Sequence, residues 1–149
     1  MMRTLLMLLF TVFATQASAN LMTIDDLKNL KYIEVLIDDK AKGGCWTNLH
    51  ESREYAEEKL RSVGATLYNG QEKIFGEYYI LSLQVRSQRN KNLPICYGSI
   101  EVQLMTGSSI NGFLHYSMPP VGYKSVFMGL DNANNAMIQA IQDLFNFRN

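Results

Sequence analysis

Chemistry-bearing side chains are scarce in this sequence. Two histidines, two cysteines, one tryptophan and three prolines are spread over 149 residues, and neither sign of charge dominates, with 14 basic and 14 acidic side chains. A near-neutral chain lacks the basic surface on which nucleic acid or anionic lipid would depend, and binding to nucleic acid is not expected. There is no Cys-x-x-Cys, no Gly-x-Ser-x-Gly and no Gly-x-Gly-x-x-Gly or Gly-Lys-Ser pattern. His50 and His115 each stand without a second ligand at metal spacing. Asp38-Asp39 lacks the Asp-x-Asp-x-Asp-Gly loop of a calcium site, and Gly43-Gly44 alone is too little for a phosphate cradle. No catalytic residue, cofactor or metal is therefore expected, and the balance leans away from an enzyme.

Long apolar runs are also missing. The longest, Leu5 to Phe13, falls short of the roughly 20 residues a bilayer-spanning helix needs, and no second one follows. It does have the length of a secretory h-region. Arg3 supplies a positive start, and Ala17-Ser18-Ala19 fits a small-residue cleavage site. Residues 1–19 read as a cleaved signal peptide, with residues 20–149 forming one domain. No cysteine follows the cleavage site to carry a lipid. The expected destination is the periplasm, with full secretion as the alternative. In an oxidising compartment the two cysteines, Cys45 and Cys96, are expected to pair, which the chain-entropy account values at about 4 kcal/mol.

The elements follow from periodicity. Lys31 to Asp38 alternates, with Ile33, Val35 and Ile37 on one face, and ends in the charged, glycine-rich stretch Asp38 to Gly44. A helix is expected from Asn48 to Gly64, with Asn48 and Glu51 as a capping pair. Leu49, Ser52, Ala56, Leu60 and Val63 form its apolar stripe. Ala65 to Tyr68 reads as a short strand closed by Asn69-Gly70. Lys73 to Arg86 is the longest alternating run; Tyr79, Leu81, Leu83 and Val85 share one face, Tyr78, Ile80, Ser82, Gln84 and Arg86 the other. After a polar loop, Ile95 to Met105 alternates again and turns Cys96 toward the core. Thr106 to Asn111 reads as a loop, and Phe113 to Met118 as a strand halted by Pro119-Pro120. Val121 to Gly129 is ambiguous between strand and loop. A last helix is expected to open at Asp131 and to carry Ala133, Ala136, Met137, Ala140, Ile141 and Leu144 on one stripe.

This order predicts an α+β domain: a single mixed or antiparallel sheet of four to five strands, two helices on one face and one disulfide (β-α-β-β-β-(β)-α). Strand order is left open. The uncovered face would carry Tyr78, Ile80, Tyr97 and Gln103, residue types suited to recognition. Arg86, Arg89 and Lys91 make the following loop basic, so all seven are candidate binding residues.

The Ile-Glu-Val-Leu-Ile strand, the Cys-x-x-Asn-Leu helix start, the Ala-Glu-x-x-Leu-Arg-x-x-Gly helix end and a second cysteine in a later strand extend over residues 30–105. With the signal peptide, this layout resembles uncharacterised exported bacterial α/β proteins. It is also similar to that of small periplasmic domains such as the N-terminal domain of the Tol–Pal translocation protein. The resemblance implies an envelope setting and assigns no activity. The expected function is a periplasmic binding or assembly module whose partner is an envelope protein or cell-wall component. The alternative is a small hydrolase, built for example from His115, Glu101 and a serine, or an enzyme inhibitor presenting Arg86 to Asn92.

Overall fold

The computed structural model describes residues 28, 30–70, 76–110 and 113–146. The expected signal peptide and the segment leading to residue 27 lie outside them. Four strands form one sheet in the order β1-β2-β3-β4: β1 (Ile33–Ala41), β2 (Gly76–Arg89), β3 (Cys96–Ile110) and β4 (Phe113–Leu130). The β1–β2 pair is parallel, and the other two pairs are antiparallel. A parallel pair needs a crossover, and helix α1 (Leu49–Ser62) supplies it. Helix α2 (Asn134–Asn146) follows β4 and packs on α1, β3 and β4. The result is the expected α+β architecture, a mixed four-stranded sheet with both helices on one face.

Alternation decides that face. Ile33, Val35, Leu81, Leu83, Val85, Ile100, Val102, Leu104 and Phe127 are buried together with Ala56 and Leu60 of α1 and Met137, Ala140 and Ile141 of α2. Truncating a fully buried leucine such as Leu60 in a core of this kind costs about 2–5 kcal/mol. At the junction of the layers Cys45 is bonded to Cys96, with Cα atoms 5.7 Å apart. Both cysteines are wholly buried.

The junction has further ties. The Ala133 amide donates to the Cys45 carbonyl at 2.6 Å. Asn134 and Thr47 exchange two hydrogen bonds, of 3.0 and 2.9 Å. The Arg89 guanidinium donates to the carbonyls of Gly43, Gly44 and Asp131 at 2.7, 3.4 and 3.0 Å. Gly43 has φ +69°, and a Cβ there would stand 2.9 Å from Arg89 Cβ, so only glycine fits beneath this clasp.

Several element boundaries differ from the sequence reading. β1 runs through Lys40 to Ala41 instead of turning at Asp38, because the parallel ladder continues to Ala41↔Ser87. Asn48 does precede α1, but it makes no side-chain cap. Its Oδ1 accepts from the Ser52 hydroxyl at 3.3 Å, so the expected capping pair with Glu51 does not form. Gly64, at φ +84°, ends the helix as expected. The short strand at Ala65 to Tyr68 is reduced to one bridge, Leu67 beside Ile33.

The largest difference lies in the last hairpin. The expected loop at Thr106 to Asn111 continues β3 to Ile110, and Pro119-Pro120 do not stop β4. Leu104 pairs with Val121 and Thr106 with Ser117, so the three residues Met118 to Pro120 are accommodated opposite Met105 alone. Proline, which has no N–H to give a ladder, is tolerated on an edge strand and at such an irregularity. The turn residues Asn111 and Gly112 lie outside the described residues. Helix α2 starts two residues later than an N-cap at Asp131 would have it. Asn132 Oδ1 accepts the Asn134 amide at 3.0 Å, while the Asp131 carbonyl is taken by Arg89.

Candidate functional site

The sheet face turned away from the helices carries one row of polar side chains across all four strands. Register places Asp38 beside Gln84, Gln84 beside Glu101, and Glu101 beside Lys124. The neighbouring row contains Lys40, Arg86, Ser99 and Val126, and the row on the other side Leu36, Ser82, Gln103 and Gly122. Between them lies an open groove of about 520 Å³, lined by Asp38, Ser82, Gln84, Arg86, Glu101 and Gln103 together with Leu36, Ile37 and Met105.

The polar groups in the groove are linked to one another. Gln84 donates its amide to Asp38 and accepts from Arg86 Nε at 2.9 Å. Lys40 Nζ stands 3.0 Å from the other Asp38 oxygen. Gln103 donates to Glu101, whose second oxygen is 4.0 Å from Lys124 Nζ. The hydrogen bond from Lys40 holds the Asp38 carboxyl below its ordinary pKa; partial burial opposes this, and Gln84 and the Arg86 charge assist it. Both carboxylates are thus held by amides and ammonium groups. Among the described residues neither is hydrogen-bonded to a hydroxyl or imidazole that it could activate. Chemically, the groove is a set of paired donors and acceptors with the apolar Leu36 and Met105 beside them.

Of the seven residues singled out from the sequence, Arg86 and Gln103 line this groove. Tyr97 is on the same face two residues from Ser99, 37 % exposed, and accepts a hydrogen bond from Gln88. Tyr78 and Ile80 are not surface residues: they are 2 % and 3 % exposed. The Tyr78 ring lies against Gly107, where an added Cβ would meet ring carbons at 2.6 and 2.7 Å. The expectation of one wholly solvated face fails at this end of the sheet. Arg89 is not available to an external anion, since its guanidinium is engaged by three backbone carbonyls. Lys91 is exposed in the loop after β2 and does not join the groove.

That loop is ordered by Asn90, whose Oδ1 accepts the amides of Asn92 and Leu93 and whose own amide donates to Ile95. His50 lies on the exposed surface of α1, its Nε2 3.3 Å from Glu54 Oε1. The His115 side chain lies outside the described residues. Among the described residues no three His, Cys, Asp or Glu side chains come together as a metal site. None of their helices is long and apolar enough to cross a membrane.

Sequence reasoning passed over Asp38, Lys40, Gln84, Glu101 and Lys124 as groove residues. The alternation of β2 and β3 already put Gln84 and Glu101 on the uncovered faces. What was missing was the register, which only the parallel β1–β2 pairing and the full length of β4 supply.

No protein-family model matches the chain, and no curated protein matches it. Two solved structures of a PelC dodecamer from Paraburkholderia phytofirmans are similar. Both are 14 % identical; one has a TM-score of 0.42 over 78 % of this chain and 86 % of that one. The other has 0.40 over 79 % and 84 %. The crystal structure of an uncharacterized protein matches at 9 % identity and a TM-score of 0.27, over 80 % of this chain and 87 % of that one. At these scores the likeness carries no argument about function.

Proposed function

We propose that this protein is an exported, non-enzymatic binding or assembly module of the periplasm, and that the groove on its open sheet face holds an envelope protein or cell-wall component. The observation that supports this reading is the row Asp38-Gln84-Glu101-Lys124 with Arg86 and Gln103 around it. It offers hydrogen-bond donors and acceptors at a regular cross-strand spacing, set on a disulfide-tied scaffold, with no activated nucleophile among the described residues. Recognition needs such a preorganised face, whereas hydrolysis needs a base-nucleophile pair in reach of a reacting atom. Export is supported by the disulfide and by the N-terminal signal pattern.

The test is affinity capture from an oxidised envelope extract, with the chain beginning at Asn20 as bait. A Gln84→Leu/Gln103→Leu variant keeps side-chain bulk but removes four hydrogen-bonding atoms from the groove. A specific partner captured by the wild-type chain and lost at least about tenfold with the variant is the expected result. Equal capture by both would move the binding surface elsewhere. If no partner emerges from any envelope fraction, the binding module is the wrong reading.

A further inference from the structure

The two edges of the sheet are built differently. β1 carries Glu34, Asp38, Asp39 and Lys40, and its outer edge is partly covered where Ile33 exchanges backbone hydrogen bonds with Thr66 and Tyr68, at 3.0 and 2.8 Å. β4, at the other end, has no strand on its outer edge among the described residues. From residue 121 to 130 it contains one charge, Lys124, which already faces Glu101. Val126 and Met128 on the open face are each 77 % exposed. Natural sheets blunt a free edge with charge, proline or a bulge, because unpaired N–H and C=O groups recruit another strand. On β4 these devices stand at the two ends of one segment: Pro119-Pro120 before it, and after it the irregularity at Gly129, which has φ +81°. Among the described residues nothing else blunts the stretch between them.

We infer that this edge pairs, antiparallel, with the same edge of a second copy of the chain, about a two-fold axis at Ser125. The segment is self-complementary in that register. Ser125 meets Ser125 of the copy, Lys124 meets Val126, Tyr123 meets Phe127 and Gly122 meets Met128, so no like charges oppose one another and each pair shares a face. The aliphatic stem of Lys124 covers the copy's Val126 while its ammonium stays with Glu101. Every copy brings an edge of identical length and alternation, so the contact is isologous and closes as a dimer with one continuous eight-stranded sheet. The two grooves then open on the same face of that sheet. The dimer does not depend on what the grooves bind.

Sedimentation or light scattering on the chain from Asn20, at about 50 µM, a concentration suited to modest interfaces, measures the mass directly. The expected value is twice that of the monomer. V126K places a second ammonium opposite Lys124 of the copy, and it should halve the mass while leaving the circular dichroism spectrum of the folded chain unchanged. The register has its own test. At the two-fold, opposed Cα atoms lie about 4.5–5.5 Å apart, within disulfide range, so Ser125→Cys should cross-link under mild oxidation and Glu58→Cys on α1 should not. A wild-type monomer, a V126K dimer, or equal cross-linking of the two cysteine variants would each overturn the inference.

Discussion

Reducing the Cys45–Cys96 bond, or replacing both residues by alanine, removes a constraint on the unfolded chain more than a contact in the folded one. The two cysteines are 51 residues apart in sequence. For a closed loop of that size, the lost restriction of the unfolded ensemble is about 14 cal/mol/K, or about 4 kcal/mol at room temperature. The folded junction keeps its other ties: the Ala133 amide on the Cys45 carbonyl, the Thr47–Asn134 pair and the Arg89 clasp. The native near-ultraviolet spectrum should therefore persist in the reduced protein. Urea unfolding followed by circular dichroism, oxidised against reduced, should show the midpoint falling by an amount equivalent to about 4 kcal/mol and the m-value rising as the unfolded chain expands. In a thermal scan the drop should be roughly 15 °C for a domain of this size. A loss under about 1 kcal/mol, or an m-value that does not rise, would refute the loop argument and place the bond's role elsewhere.

Three further outcomes follow from single positions. Gly98→Ala would drive a Cβ against the Arg86 carbonyl and to 2.6 Å from the Ser87 Cα, so urea unfolding should register a loss of about 3 kcal/mol. Arg89→Met removes the donor that joins Gly43, Gly44 and Asp131 and should cost about 2 kcal/mol; a neutral result in the same assay would show the clasp to be incidental. Asp38 has a folded pKa below its unfolded value, so it adds stability at pH values above the ordinary carboxylate value of about 3.9, and this is lost as pH falls through the depressed folded value. Lys40→Met should return that pKa toward ordinary, as read by NMR titration of the carboxyl, and should flatten the acid limb of the stability curve.

The elements that rest on side-chain alternation were legible from residues alone. Ile33 with Val35, Leu81 through Val85 and Ile100 through Leu104 declare their buried face in sequence, and Cys96 shares the parity of Ile100. Helix stripes at Ala56 and Leu60 and at Met137 and Ile141 were equally plain. What escaped were features decided across strands. Pro119-Pro120 look like a stop because the local rule removes a ladder donor, yet β4 is the last strand and tolerates them on its edge. Tyr78 and Ile80 share the parity of Gln84 but are buried, since burial at that end of the sheet does not follow from period 2. Arg89 reads as a loop cation, and nothing in its neighbours along the chain reveals the three carbonyls waiting for it. The groove itself needed the row Asp38-Gln84-Glu101-Lys124, which draws one residue from each strand.

The parallel pairing of β1 with β2 also has a consequence for the order in which this chain can fold as it emerges from the ribosome, amino end first. β1 has no sheet partner until Gly76–Arg89 has been delivered, and Cys45 has no sulfur to join until Cys96 has followed. The described residues before Gly76 are thus a helix and a lone strand, with a thiol that has no partner yet. The hairpins of β2, β3 and β4 form from neighbours in sequence and can close as they arrive. Structure in this chain accumulates from the late strands backward, and the first strand made is among the last to be secured.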